Sequence, residues 1–176
     1  MQSESLCHGT PPLRMPSAVE SLRDVAVCTP SCRLTDTALR WITALLLTAP
    51  RCQRLALHLT MNGITVTGLH HLSETVGGLH DLTDVSLDIR GNWMRGVEYG
   101  EALSVFVRAI RSSLRTLHLA FGGWGVRKQF GLQHLAALSE CVHLRELSLC
   151  VTGARITSDS FRRVVSGVVR LPNLQQ

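Results

Sequence analysis

The chain has 176 residues, 45% of them apolar, and a formal net charge of +5 carried by 17 arginines and a single lysine. The arginines are scattered without a block of five or six like charges, which speaks for a solvated basic surface and against a nucleic-acid partner. Six cysteines at 7, 28, 32, 52, 141 and 150 form no CxxC pair; that excludes zinc-ligand spacing and favours a reduced, intracellular (cytoplasmic) chain over a disulfide-stapled secreted one.

Residues 1–20 are polar, carry Pro11, Pro12 and Pro16, and lack the basic-then-apolar plan of a signal peptide. They read as a disordered lead-in or the tail of a segment not included. From residue 21 to 176 one pattern recurs. Taking Leu144 as offset zero, apolar residues fall at offsets 3, 5, 7 and 12: Leu147, Leu149, Val151 and Ile156. The same offsets hold Leu117, Leu119, Phe121 and Val126 after Leu114, then Val85, Leu87, Ile89 and Met94 after Leu82, and Leu55, Leu57, Leu59 and Ile64 after Cys52. A weaker first copy starts at Leu22, with Val25, Val27 and Leu34 in place but Thr29 at offset 7. The starts are 30, 30, 32 and 30 residues apart, the mark of a repeat architecture.

Alternation at offsets 3, 5 and 7 predicts a short strand with one buried face. The Gly- and Asn-rich stretches after it, such as Asn62-Gly63, Gly91-Asn92, Gly122-Gly123 and Gly153, predict a tight turn that uses positive φ. Spacing then becomes helical: Leu39, Ile42 and Leu46; Leu69, Leu72 and Val76; Leu103, Phe106 and Ile110; Leu132, Leu135 and Leu138; Phe161, Val164 and Val168. Thr35, Thr67 and Ser158 stand where N-caps are wanted. The most apolar run, Trp41–Ala49, is too short to span a bilayer, so no membrane association is expected. At the other end, Leu171 to Leu174 reads as offsets 0 to 3 of a sixth copy that stops early, and a domain truncated at its C-terminus is expected.

A helix after every strand returns the chain to the same edge, so the strands are expected to be parallel. Strands sit about 5 Å apart and helices are about 10 Å wide, which bends such a stack. The expected fold is therefore α/β: a solenoid horseshoe of about five repeats, strands on the concave face and helices on the convex one. The run Leu82 to Met94, Leu-x-x-Val-x-Leu-x-Ile-x-x-Asn-x-Met, resembles leucine-rich repeats of the ribonuclease-inhibitor-like class, and the resemblance extends over residues 22–174. It implies that the Asn at offset 10, matched by Asn62 and Asn92, points inward and bonds neighbouring turns. Cys32 fills that slot in the first unit, while Trp124 and Ala154 depart from it.

The outward strand positions are the candidate site. Offset 2 reads Asp24, Arg54, Asp84, Thr116 and Glu146; offset 4 includes Ser86, His118 and Ser148; offset 6 places His58 beside Asp88; offset 8 adds Arg90. Alternation of sign across Asp24–Arg54–Asp84 is expected. Arg54, His58, Asp84, Asp88, Arg90, His118 and Glu146 are the predicted protein-binding residues. His58 with Asp88 is the base-and-orienter half of a triad, but no nucleophile accompanies it, and Gly122-Gly123-Trp124-Gly125 lacks the GK[ST] of a phosphate loop. Trp93 and Trp124 either line one exposed rim or pack over the turn edge. No catalysis, metal or cofactor is expected. The leading reading is a non-catalytic scaffold that binds a protein partner on its concave sheet face. Two alternatives stay open: the substrate-recognition segment of a ubiquitin-ligase receptor, and a GTPase regulator with Arg90 or Arg95 as its loop arginine.

Overall fold

Burying offsets 3, 5 and 7 on one side while a helix follows each strand leaves little topological freedom. The computed structural model describes residues 21–94, 97–123, 132–153 and 158–175; the lead-in 1–20 lies outside them, as do Arg95, Trp124, Val126, Ala154 and Ile156. In chain order the elements are β1 (Asp24–Cys28), α1 (Asp36–Leu47), β2 (Arg54–His58), α2 (Val66–Gly77), β3 (Asp84–Asp88) and α3 (Val97–Ile110). Then come β4 (Thr116–Gly122), a 3-10 helix (Leu132–Glu140), β5 (Glu146–Thr152) and α4 (Ser158–Val168). The strands form one sheet in the order β1-β2-β3-β4-β5, every neighbouring pair parallel.

The register follows the offsets residue for residue. Asp24, Arg54, Asp84, Thr116 and Glu146 are consecutive partners, as are Val25, Leu55, Val85, Leu117 and Leu147. Of the second row, Val25, Leu55, Val85 and Leu117 are buried, whereas Leu147, Leu149 and Val151 of β5 are only half-buried. Among the described residues β5 has a strand neighbour on one side alone, so its inward side chains lack half their lateral cover. The helices pack in sequence, α1 on α2, α2 on α3, and α3 and α4 on the 3-10 helix, and their apolar rows meet the strand rows in a single core.

Three helical expectations need correction. The fourth unit forms a 3-10 helix, not an α-helix. Its apolar residues are spaced three and three, where the other four units have three and four. Side chains at i and i+3 eclipse in a 3-10 helix, and Leu135 and Leu138 are buried by that geometry. In α4, Val164 is buried and Val168 half-buried, but Phe161 is 58% exposed, since among the described elements α4 packs chiefly on the 3-10 helix. The N-cap of α2 is Thr65, whose hydroxyl accepts the Thr67 N–H at 3.2 Å; Thr67 lies inside the helix. Thr35 does cap α1, without a side-chain bond, and Ser158 opens α4.

The sixth copy begins in a different register from the one expected. Gln175 N–H donates to the Arg145 carbonyl at 2.8 Å, repeating the bond from Arg145 N–H to the Arg115 carbonyl, also 2.8 Å. Leu174 therefore stands at offset zero. Leu171 is the counterpart of Cys141: each closes its helix by an N–H bond to the carbonyl three residues back, both at 3.0 Å.

The turns show how one repeat holds the next. The Asn62 amide donates to the carbonyls of Thr29 (2.8 Å) and Leu59 (3.1 Å), and its Oδ1 accepts from Leu34 N–H at 2.9 Å. Asn92 repeats this one unit on, with Leu59 and Ile89 as acceptors and Ile64 N–H as donor. Cys32 does not: it is exposed, and its Sγ reaches only Pro30 of its own turn. Beside these amides a direct backbone bond joins successive turns, from Ser31 N–H to the Thr60 carbonyl (2.9 Å), Met61 to Arg90 (2.8 Å) and Gly91 to Gly122 (2.8 Å). Gly123 N–H donates to the Thr152 carbonyl at 2.8 Å at φ +130, and a Cβ there would lie 2.7 Å from the Gly91 nitrogen. The offset-9 residue is left-handed in every unit, at Ser31, Met61, Gly91, Gly123 and Gly153.

Two stability measurements test this packing. Leu117 is fully buried and Leu149 half-buried, so Leu117→Ala should cost about 3 kcal/mol and Leu149→Ala roughly half as much, read from urea unfolding midpoints; equal losses would contradict the edge position of β5. Thr29 occupies an inward slot, and its hydroxyl oxygen is buried without a hydrogen-bond partner. Thr29→Val should therefore raise stability by about 1 kcal/mol, and a destabilised variant would show that the slot is not apolar.

Candidate functional site: the outward face of the sheet

Even offsets point away from the helices, so the in-register strands lay the predicted residues out in rows. Arg54 and Asp24, directly opposite each other, form an ion pair, with Nη2 donating to Oδ2 at 2.6 Å. The expected alternation stops there. Asp84 accepts the Thr83 hydroxyl at 2.6 Å and acts on Arg54 only through its charge. Glu146 is exposed at the end of this row, and His118 is exposed in the next row between Ser86 and Ser148.

The tightest cluster lies at offsets 6 and 8. Arg90 folds back on Asp88 with Nε donating to Oδ1 at 2.9 Å and Nη2 to Oδ2 at 2.6 Å, and its backbone N–H also donates to Oδ1 at 3.2 Å. This is the two-pronged geometry that guanidinium and carboxylate favour. Burial pushes the Asp88 carboxyl up, but the Arg90 bonds and the Arg90 and His58 charges outweigh it and hold the group below its ordinary value. His58 sits opposite Asp88 in the register, as expected, yet both carboxylate oxygens are taken by Arg90. Ala120, small and next in the row, leaves room for Arg90 Nη1 to come within 3.8 Å of Cys150 Sγ on β5. Behind this cluster the buried Tyr99 of α3 accepts Gly122 N–H at 3.3 Å and meets the Phe121 ring edge-on at 6.3 Å.

The rows therefore hold two kinds of residue. His58, His118 and Glu146 are exposed, as is Arg54 beside its Asp24 partner, while Asp88 is 9% exposed and serves chiefly to fix Arg90. Trp93 is 70% exposed at the turn edge. Among the described residues no group of three His, Cys, Asp or Glu side chains could hold a metal, and no helix is long and apolar enough to cross a membrane. One set of polar residues escaped the reading by strand faces: Thr83, Arg115 and Arg145, all at offset 1, on the rim where the strands begin. Two arginines at one offset in successive units were the signal for it.

No protein-family model matches the chain, and no curated protein matches it in sequence. Solved structures do. One is leiomodin-1 actin-binding site 2, with a TM-score of 0.59 and 17% identity over 88% of this chain and 83% of that one. Another is the tropomodulin C-terminal domain of Caenorhabditis elegans, with a TM-score of 0.55 and 16% identity over 88% and 90% of the two chains. The ribonuclease-inhibitor-like assignment is corrected accordingly: the matching structures are leucine-rich-repeat-like domains of the tropomodulin and leiomodin kind. The 3-10 helix of the fourth unit and the confinement of the Asn bonds to two turns agree with a less regular repeat. At such identity the likeness concerns the fold.

Because the Asp88 carboxyl is held below its ordinary value, the stability it contributes is complete above about pH 4, the unfolded value, and is lost as pH falls through the folded one. The gap in unfolding free energy between the wild type and Asp88→Asn should be full at pH 7 and close as the pH drops below about 4. Urea titrations at several pH values measure it; a gap that does not depend on pH would show that Arg90 does not engage the ionised form.

Proposed function

We propose that the chain is a non-catalytic protein-binding module whose outward sheet face receives a protein partner. The observation that carries this reading is the register itself: five parallel strands present exposed Arg54, His58, His118 and Glu146 on a face that no helix among the described residues covers. With strands spaced more closely than helices, we take the stack to curve toward this face, as a leucine-rich-repeat horseshoe does, so that a convex surface can seat against several strands at once. Mixed charge along the rows supports recognition of a partner that carries both acidic and basic side chains.

Actin is the partner to test first, because a fold neighbour is itself an actin-binding site; that is an analogy of fold, and the site must bear it out. The GTPase-regulating alternative gains no support from Arg90, whose guanidinium is held by Asp88. Nothing in the described residues favours the ubiquitin-ligase receptor over a general scaffold.

Charge reversal is best made where it does not disturb the fold. Arg54 and His118 are exposed, whereas reversing Asp88 would strand Arg90. Purified actin is expected to bind the wild type in co-sedimentation and monomer-binding assays. Arg54→Gln, which sets no like charge between Asp24 and Asp84, combined with His118→Glu should weaken that binding roughly tenfold with only a small loss of stability, since an exposed ion pair contributes little. Absence of actin binding by the wild type would remove actin as the partner, and binding undiminished in the double variant would remove this face as the site.

A further inference from the structure

The rim where the strands begin carries a cavity of about 370 Å³ between the third unit and the start of the sixth. Its walls come from Ser112 and from residues at two recurring offsets. Thr83, Arg115 and Arg145 stand at offset 1, and Ser113, His143 and Asn173 stand two residues earlier. The backbone bonds from Arg115 N–H to the Thr83 carbonyl (2.7 Å) and from Arg145 N–H to the Arg115 carbonyl (2.8 Å) hold the two arginines side by side, about 4.8 Å apart along the sheet.

Like charges opposite one another on neighbouring strands repel. Among the described residues no ion pair involves Arg115 or Arg145, and no carboxylate lines the cavity. The neighbouring acids are committed or turned elsewhere. Glu140 is held by Arg108 at 3.1 Å and Arg111 at 3.5 Å. Asp84 takes the Thr83 hydroxyl, and Glu146, one residue on from Arg145, belongs to the opposite face of the sheet. The neutral walls are braced: the Ser113 hydroxyl donates to the Leu82 carbonyl and the Asn173 amide to the Val142 carbonyl, both at 2.7 Å. Corresponding positions in the earlier units read Ser21, Arg51 and Asp81 at the earlier offset and Arg23 and Gln53 at the later one, so arginines at the later offset of two successive units occur once among the described units.

We propose that this cavity is a binding site for a phosphate monoester carried on the serine or threonine side chain of a partner, with the Arg115 and Arg145 guanidinium groups as its principal donors and His143 on its wall. Two guanidinium forks suit a dianionic oxyanion, which each can engage through paired N–H bonds. The volume lies at the small end of ordinary ligand sites: it admits the phosphate with the side chain that bears it, and a bare ion would fill only part of it. The site is separate from the sheet face and stands or falls independently of actin binding there.

The test is a titration of the full chain with N-acetyl-O-phosphoserine amide, followed by ¹⁵N NMR of backbone amides and arginine side chains. Saturable shifts are expected at Thr83, Ser113, Arg115, His143 and Arg145, with no response to N-acetylserine amide. Arg115→Gln and Arg145→Gln should each weaken binding at least tenfold and Arg145→Lys less, because an ammonium keeps the charge but loses the fork; Arg40→Gln, on α1, should leave it unchanged. Equal binding of inorganic phosphate or of N-acetylaspartate amide would overturn the monoester assignment, as would preferential binding to phosphatidylserine vesicles. Undiminished binding in both glutamine variants, with their amide spectra intact, would overturn the site.

Discussion

One backbone bond, made once per unit, organises this molecule. At offset 1, an N–H donates to the carbonyl of the same offset one unit earlier: Gln53 to Arg23, Thr83 to Gln53, Arg115 to Thr83, Arg145 to Arg115 and Gln175 to Arg145, all between 2.7 and 2.9 Å. This rung sets the phase of each strand before the strand begins. Side chains alternate with a period of two, so a slip by one residue would exchange the buried row for the exposed one. Phase therefore decides at the same time what forms the core and what faces a partner.

At the opposite end of the strands the phase is kept by different chemistry along the stack. Early turns use the Asn62 and Asn92 amides to satisfy buried backbone groups, which would be costly to leave unpaired. Early and late turns alike also bond directly, from Ser31, Met61, Gly91 and Gly123 N–H to the carbonyl at offset 8 of the next unit; at Gly91 and Gly123 a Cβ would crowd the neighbouring turn. Both kinds of bond tie one turn to the next, and the last two strands, β4 and β5, are seven residues long.

A stack of this kind offers two distinct surfaces in the same chain. The sheet face is wide, with rows of mixed charge suited to a protein surface. The strand-start rim is narrow and carries concentrated positive charge. The likeness to leiomodin and tropomodulin domains bears on the scaffold these surfaces are mounted on; the side chains that would distinguish a partner belong to this chain alone, since fold by itself does not specify function.

Most of the architecture was legible because burial on a repeat is periodic. Offsets 3, 5 and 7, read on the chain alone, identify the inward rows of all five strands, and the resemblance to leucine-rich repeats implied the bonds of Asn62 and Asn92. The three-and-three spacing of Leu132, Leu135 and Leu138 already held the 3-10 helix. What the chain alone could not decide was how each polar side chain would spend its hydrogen bonds. Arg54 chose Asp24 over Asp84, Asp88 chose Arg90 over His58, and Cys32 turned to its own loop. Those choices depend on distances of a few tenths of an ångström and on the size of neighbours such as Ala120. Cover at the edges was also a tertiary matter: Phe161 and Leu147 carry the pattern of buried residues but have packing on one side only. Periodicity records which face a residue belongs to; only the folded chain settles what stands opposite it.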